Sequence, residues 1–291
     1  MNGLKKFIQI ALELSKIRIT FFVAFSTSVG YILFSGDVSL KMVWTALGVL
    51  ILASGSSAMN HWQERNIDSL MDRTKGRPIP SGKIKAGFAF LFSMILLVAG
   101  SLIIFITADF FTMLLGWLAF IWYNVIYTPL KMKYALAVVP GALIGSIPPV
   151  IGWVSAGGEI SNSQIIAVAL FFFIWQIPHF WLLLMIYKKD YESAGFPTLT
   201  ALLNDLQLKR ITFVWIFALA ISGLLIPLFG ISKNIFSIII MMLLGLMLVL
   251  GSSRLLKSGM ERALYRKTFM FINIYMLVVV LLLSFDKIIN L

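Results

Sequence analysis

Residues 86–128 read AGFAFLFSMILLVAGSLIIFITADFFTMLLGWLAFIWYNVIYT, with Asp109 as the one charged side chain. A bilayer core takes about 20 predominantly apolar residues per helix. The stretch therefore predicts two membrane spans, 86–107 and 110–128, joined by a tight turn at TADFF, residues 107–111. The rest of the chain has the same character. Of its 291 residues 60% are hydrophobic and 12% charged, with mean hydropathy +0.95, where a soluble domain carries about 25% charged residues. Further apolar runs at roughly 17–36, 42–63, 135–155, 164–187, 211–230, 233–252 and 268–285 complete a set of nine. The expectation is an all-α polytopic membrane protein with nine transmembrane helices in one domain over 1–291. Pro140, Pro148, Pro149 and Pro178 fall inside spans, where neighbouring helices or waters satisfy the freed backbone groups.

The opening, MNGLKKFIQIALELSKIRITFF, has basic residues before an apolar run but lacks a small-residue cleavage site. It reads as a cytoplasmic amphipathic segment, 1–16, leading into a retained first span. There are no cysteines, which excludes disulfides, thiolate metal sites and a cysteine nucleophile.

Net charge is +12, and its placement is systematic. All 24 basic residues except Lys41, Lys233 and Lys287 fall on one side of the predicted spans. The positive-inside rule makes that side cytoplasmic, with the N-terminus inside and the C-terminus outside. The basic excess is thus topology, and no nucleic-acid partner is expected. Glu64, Asp68, Asp72, Asp190, Glu192 and Asp205 lie on the same side, in loops after the second and sixth spans. No carboxylate is expected at mid-membrane, which speaks against an ion-coupled transporter.

The first of these loops is NHWQERNIDSLMDRTKGRPIPSG, residues 60–82. Asn60, Glu64, Asp68 and Asp72 recur every fourth residue, so on a continuous helix they form a spiral stripe about 18 Å long. Stacked anionic groups persist most readily around a cation. Oxygen-only ligands favour a hard ion such as Mg2+, which commonly completes its shell with substrate phosphates. Arg73 and Arg77 follow as phosphate clamps, and RPIPSG ends the segment in a turn. Spacing alone leaves open a second reading, in which these acids and bases merely pair at a solvated helix end.

This stretch resembles the aspartate-rich first motif of the UbiA superfamily of intramembrane prenyltransferases. Two further stretches, YTPLKMKYALAVVPGALIGSIPPVIGW at 127–153 and WQIPHFWLLLMIYKKDYESAGFPTL at 175–199, are similar to the heme-farnesylating branch of that superfamily. The resemblance implies a UbiA-type bundle forming a single transmembrane prenyltransferase domain. It implies a cytoplasmic-side site, farnesyl diphosphate and heme B as substrates, heme O as product, and Mg2+ as cofactor. A heme A-forming enzyme is an implied downstream partner. Position by position, it implies Asn60, Glu64 and Asp68 as metal–diphosphate ligands with Asp72 as an additional member. It matches Arg73 and Arg77 to phosphate contacts, and Tyr127 and Lys131 to a YT-x-x-LK stretch. Where most relatives carry a second D-x-x-x-D, this chain has Gln176, His179, Lys188, Lys189 and Asp190. Those five are expected to contact substrate, with Asp190 replacing one of the missing carboxylates. A smaller departure is KIRI at 16–19, where many relatives have proline after the lysine.

Aromatic side chains near the cytoplasmic span ends, Trp62, Tyr123, Tyr127, Trp175, Phe180 and Trp181, are candidates to face an allylic cation; interfacial packing is their alternative use. His61 reads first as a histidine hydrogen-bonded along the helix end and only second as a functional one. A prenyltransferase acting on a quinone precursor or chlorophyllide, and a transporter of hydrophobic anions, are the competing functional readings.

Overall fold

A computed structural model describes residues 3–257 and 262–289. Met1 and Asn2 of the predicted N-terminal segment lie outside the described residues, which contain helices and no strand. The amphipathic segment forms α1 (Gly3–Leu14). Among the described residues nine helices long and apolar enough to cross a membrane follow: α2 (Ile17–Ser35), α3 (Leu40–Asp68), α4 (Ala86–Thr107), α5 (Phe110–Leu130), α6 (Val138–Ser155), α7 (Ser163–Ile186), α8 (Asp205–Leu228), α9 (Ile235–Leu256) and α10 (Arg262–Ile289). Short helical turns at Lys188–Ser193 and Leu199–Leu202 link α7 to α8.

Each expected span is present, but several run past their apolar limits. α3 continues to Asp68 rather than ending near 63, and α10 spans 262–289 rather than 268–285. Hydropathy marks only the lipid-crossing part of a helix, whereas the i to i−4 hydrogen bonds continue into the interface. α8 begins early, at Asp205, because Asn204 and Gln207 form a reciprocal capping box. The turn between α4 and α5 is as tight as expected, with the Asp109 carboxylate accepting from the Thr112 amide at 2.7 Å.

Helix association in lipid depends on close van der Waals approach, because lipid tails are as apolar as the helices. α2 and α6 meet in this way. A Cβ on Gly30 would fall 2.6 Å from the Pro149 carbonyl carbon, and one on Gly152 would fall 2.7 Å from the Tyr31 amide nitrogen. Leu91, Ile95, Val98, Leu102 and Ile106 form an exposed stripe along α4. Their helical spacing defines a lipid-facing surface. α1 folds back on the bundle, burying Ile10 and Leu14 with Ala58 and Ala89. It joins α2 through Lys16, which adopts a left-handed backbone with φ of 45°.

The final turns of α5 change geometry. Residues Trp122–Tyr127 form a π-helix, wider than an α-helix and frequently found at functional sites. Asn124 fixes it to α3: its Nδ2 donates to the Ser56 carbonyl and to Gln63 Oε1, both at 3.0 Å. Gln63 Nε2 donates back to the Asn124 carbonyl at 2.9 Å.

Candidate active site

A cavity of about 410 Å³ opens between α2, α3, α5, α6 and α7. The last turns of α3 supply its acidic wall, because i, i+4 spacing puts Asn60, Glu64 and Asp68 on one face. All three line the cavity and are buried.

Each of the three is tied to a basic group from another segment. Lys16 Nζ donates to Asn60 Oδ1 at 2.8 Å, while Asn60 Nδ2 donates to Glu64 Oε1 at 2.7 Å and Thr128 Oγ1 at 3.2 Å. Glu64 pairs with Lys131 from the end of α5. The Lys131 ammonium also lies 5.5 Å from the Tyr127 ring centroid. Arg77 reaches back over the turn region to donate from one guanidinium nitrogen to both Asp68 oxygens at 2.7 Å. Thr74 Oγ1 holds that turn in place through the Asp68 carbonyl at 2.9 Å. Arg73 also lines the cavity and sits over the Tyr187 ring at 5.3 Å.

Cations outnumber acids on this wall: Lys16, Arg73, Arg77 and Lys131 face Glu64 and Asp68. Burial, then the neighbouring Arg77, pulls the Lys16 ammonium down to about 7. For Lys131 burial acts in the same direction, but the Glu64 carboxylate and the two tyrosines overcome it and hold the ammonium above its ordinary value. The excess of positive charge beside an oxygen-rich wall suits a polyanion. Away from this end the cavity becomes apolar, bounded by residues such as Val49, Leu52, Phe120 and Ile151. Tyr123 and Tyr127, stacked with centroids 6.0 Å apart, stand where the two parts meet.

Of the residues expected at the site, Asn60, Glu64, Asp68, Arg73, Arg77, Tyr127, Lys131 and Gln176 share this one cavity. Asp72 does not. The helix stops at Asp68, so the fourth member of the stripe points outward, 84% exposed and paired with Lys75 at 2.6 Å. The hydrogen bond from Lys75 lowers the Asp72 carboxyl and raises the Lys75 ammonium in turn. The simple acid–base pairing left open by spacing therefore describes Asp72, while Asp68 carries its arginine into a cavity.

The second polar loop differs from expectation more widely. His179 turns toward α10, its Nδ1 2.9 Å from Asn273 Oδ1 and its ring packed on Trp175, Phe180 and Phe269. Lys188 lines a separate small pocket with Asn204, Asp205 and Tyr265, and lies 3.7 Å from Glu192. Lys189 is exposed, and Asp190 sits on the helical turn Lys188–Ser193 rather than on the cavity wall. α7 ends at Ile186, and the turn that follows directs these charges away while Tyr191, Phe196 and Thr198 face inward. Among the aromatic candidates Tyr123, Tyr127 and Phe180 line the cavity. Trp62, Trp175 and Trp181 pack elsewhere. His61 is buried, and neither ring nitrogen has a hydrogen-bond partner among the described residues.

Lys16 is the principal residue that sequence reading missed as a site member. It lies 44 positions from its partner Asn60, and its signals in the sequence are that it precedes the first span and opens the KIRI stretch. Thr128 stood in the YT-x-x-LK stretch without being assigned a role, and Tyr191 carried no signal distinguishable from its neighbours.

Comparison with known proteins gives the family and the fold. A relative from Geobacter sulfurreducens, called protoheme IX farnesyltransferase, is 42% identical over 195 residues, covering 67% of this chain and 72% of its own. One of the same name from Oleidesulfovibrio alaskensis is 30% identical, with 96% and 97% of the two chains covered. Among solved structures, a digeranylgeranylglyceryl phosphate synthase superposes with a TM-score of 0.79 at 18% identity, covering 98% of this chain and 99% of the other. A UbiA homolog from Archaeoglobus fulgidus bound to GPP and Mg2+ superposes with a TM-score of 0.68 at 14% identity, covering 96% and 99%. These last two likenesses concern the fold. The profile of the UbiA prenyltransferase family matches residues 23–275, and the chain belongs to that family.

Proposed function

We propose that this membrane prenyltransferase moves the farnesyl group of farnesyl diphosphate onto a vinyl group of heme B, with addition of water, to give heme O. The observation that carries this reading is a cationic, oxygen-rich pocket end continuous with an apolar cavity, in a chain whose relatives are named for that reaction.

The donor set fits Mg2+. Asn60, Glu64 and Asp68 offer only hard oxygen ligands along one wall. No group of three or more His, Cys, Asp or Glu side chains forms a closed cage among the described residues. A partial oxygen set suits an ion that completes its octahedron with phosphate oxygens and water. When bound there, Mg2+ would neutralise charge on the diphosphate.

The chain's own groups do the remaining work. Lys16, Arg73, Arg77 and Lys131 hold the diphosphate and counter the negative charge that grows as the C1–O bond breaks. Tyr123 and Tyr127 present ring faces to the positive allylic carbon, at about 0.5–2 kcal/mol per contact. The vinyl π electrons then form the new C–C bond, and water adds to the inner vinyl carbon with loss of one proton. The departing diphosphate is basic enough to take that proton, so no dedicated side-chain base is needed. The site is read as cytoplasmic, with the N-terminus inside and the C-terminus outside, and its product as passing to a heme A-forming enzyme. Protein in lipid nanodiscs, given heme B, farnesyl diphosphate and Mg2+, is expected to yield heme of the farnesylated and hydrated mass. Bound donor and acceptor with no such product would overturn the reading.

A further inference from the structure

The apolar part of the cavity has a definite depth. Its α3 wall is a continuous stripe, Val49, Leu52, Ala53, Ser56 and Ser57, leading up to Asn60. The middle of that wall is small, and Gly116 and Ala119 of α5 line the same part of the cavity, while Gly141 and Gly145 of α6 make room for Tyr127 and Gln176. At the far end the residues become bulky. Val49 and Ile151 are 3% and 1% exposed, and Leu52 packs beneath Gly116, where a Cβ would lie 3.2 Å from its Cδ1. One turn deeper on each helix, Thr45 and Ser155 join Oγ to Oγ at 2.9 Å, both fully buried. That bond ties α3 to α6 and closes the space below Val49 and Ile151.

From Asn60 to Val49 is eleven helical residues, or about 16 Å. An extended isoprenoid unit adds four C–C bonds of about 1.5 Å at tetrahedral angles, so about 5 Å. Three units reach the floor and a fourth does not fit. We propose that Val49, Leu52 and Ile151 form a floor that limits the donor to three isoprenoid units, with Ala53 setting the width beside the third unit. The proposal rests on the prenyl-donor reading above, because the head group must sit at Asn60 for the depth to have meaning.

The test uses the full chain in nanodiscs and donors of 10, 15 and 20 carbons. Wild-type protein is expected to favour the 15-carbon donor in kcat/KM. Ala53→Phe fills the space of the third unit and is expected to move the preference toward the 10-carbon donor by about tenfold or more. Val49→Ala with Ile151→Ala lowers the floor and is expected to raise the 20-carbon donor relative to the 15-carbon one. The same ranking is read as Kd for unreactive thiolodiphosphate analogues, which needs no heme. If Ala53→Phe does not fold, Ile151→Ala alone decides through the 20-carbon analogue. Equal use of 15 and 20 carbons by the wild type, or folded variants with unchanged preference, overturns the floor. Length-ranked analogue binding without transfer to heme B would support the floor and overturn the acceptor instead.

Discussion

Two polar loops follow α3 and α7 at the cavity's charged end, and they place their charges differently. In the first, Glu64 and Asp68 precede the helix stop and helical phase carries them into the cavity, while Arg73 and Arg77 fold back onto the same wall from the turn beyond it. In the second, Lys188, Lys189 and Asp190 follow the stop at Ile186, and the chain turns them outward while Tyr191 and Phe196 take the inner side. A charge serves the cavity where a helix aims it there, as with Glu64 and Asp68, or where the following turn folds back onto the wall, as with Arg77. Abundance of charge near a span end does not by itself mark a site.

Substitutions separate the two loops most sharply at Asp68. Asp68→Asn removes a cavity carboxylate and leaves Arg77 without its partner, and turnover is expected to fall about 100-fold or more. The same change at Asp190 is expected to alter kcat/KM less than about threefold; a comparable loss there, measured by heme product formation, would break the contrast.

Stability gives the next largest difference. Lys131→Met strands the buried Glu64 carboxylate, at a cost of about 3–5 kcal/mol. Adding Glu64→Gln should restore much of the lost thermal stability, though not turnover. Lys188→Met, whose partner Glu192 is half exposed and 3.7 Å away, is expected to shift stability by less than about 1 kcal/mol.

The pH response is smaller and has two signs. With Lys16 pulled down to about 7 by burial and Arg77, the free protein loses that positive charge as pH rises, and KM for the donor is expected to climb by up to about tenfold per unit. Between about 7 and the ordinary 10.5 the unfolded chain binds more protons than the folded one. Native stability should therefore increase over the same window. Lys16→Met is expected to flatten both profiles, and donor KM against pH is the measurement that decides. At the bottom of the scale, Asp72→Asn should change turnover less than about twofold, because it breaks only an exposed pair.

The spans were legible because lipid imposes one requirement, length of apolar helix, that a sequence displays directly. Asn60, Glu64 and Asp68 were legible because they share one helix and its period. Asp72 was misjudged because the period gives no notice of where the helix ends, and the stop fell between Asp68 and Ser69. Lys16 was invisible as a site member because its placement depends on a left-handed backbone and on a packing partner far along the chain. Tyr191 and Phe196 were passed over beside charged neighbours, since nothing in composition reports which way a short turn faces.

The π-helix at Trp122–Tyr127 also sets rotational phase. An extra residue in one turn rotates everything after it by about 100° relative to an uninterrupted α-helix. Deleting a single residue from this segment would let α5 revert to ordinary winding and swing the Lys131 ammonium around the helix, away from Glu64. The insertion thus works as a gear tooth, and a loss that hydropathy would not register would disengage an entire wall of the pocket.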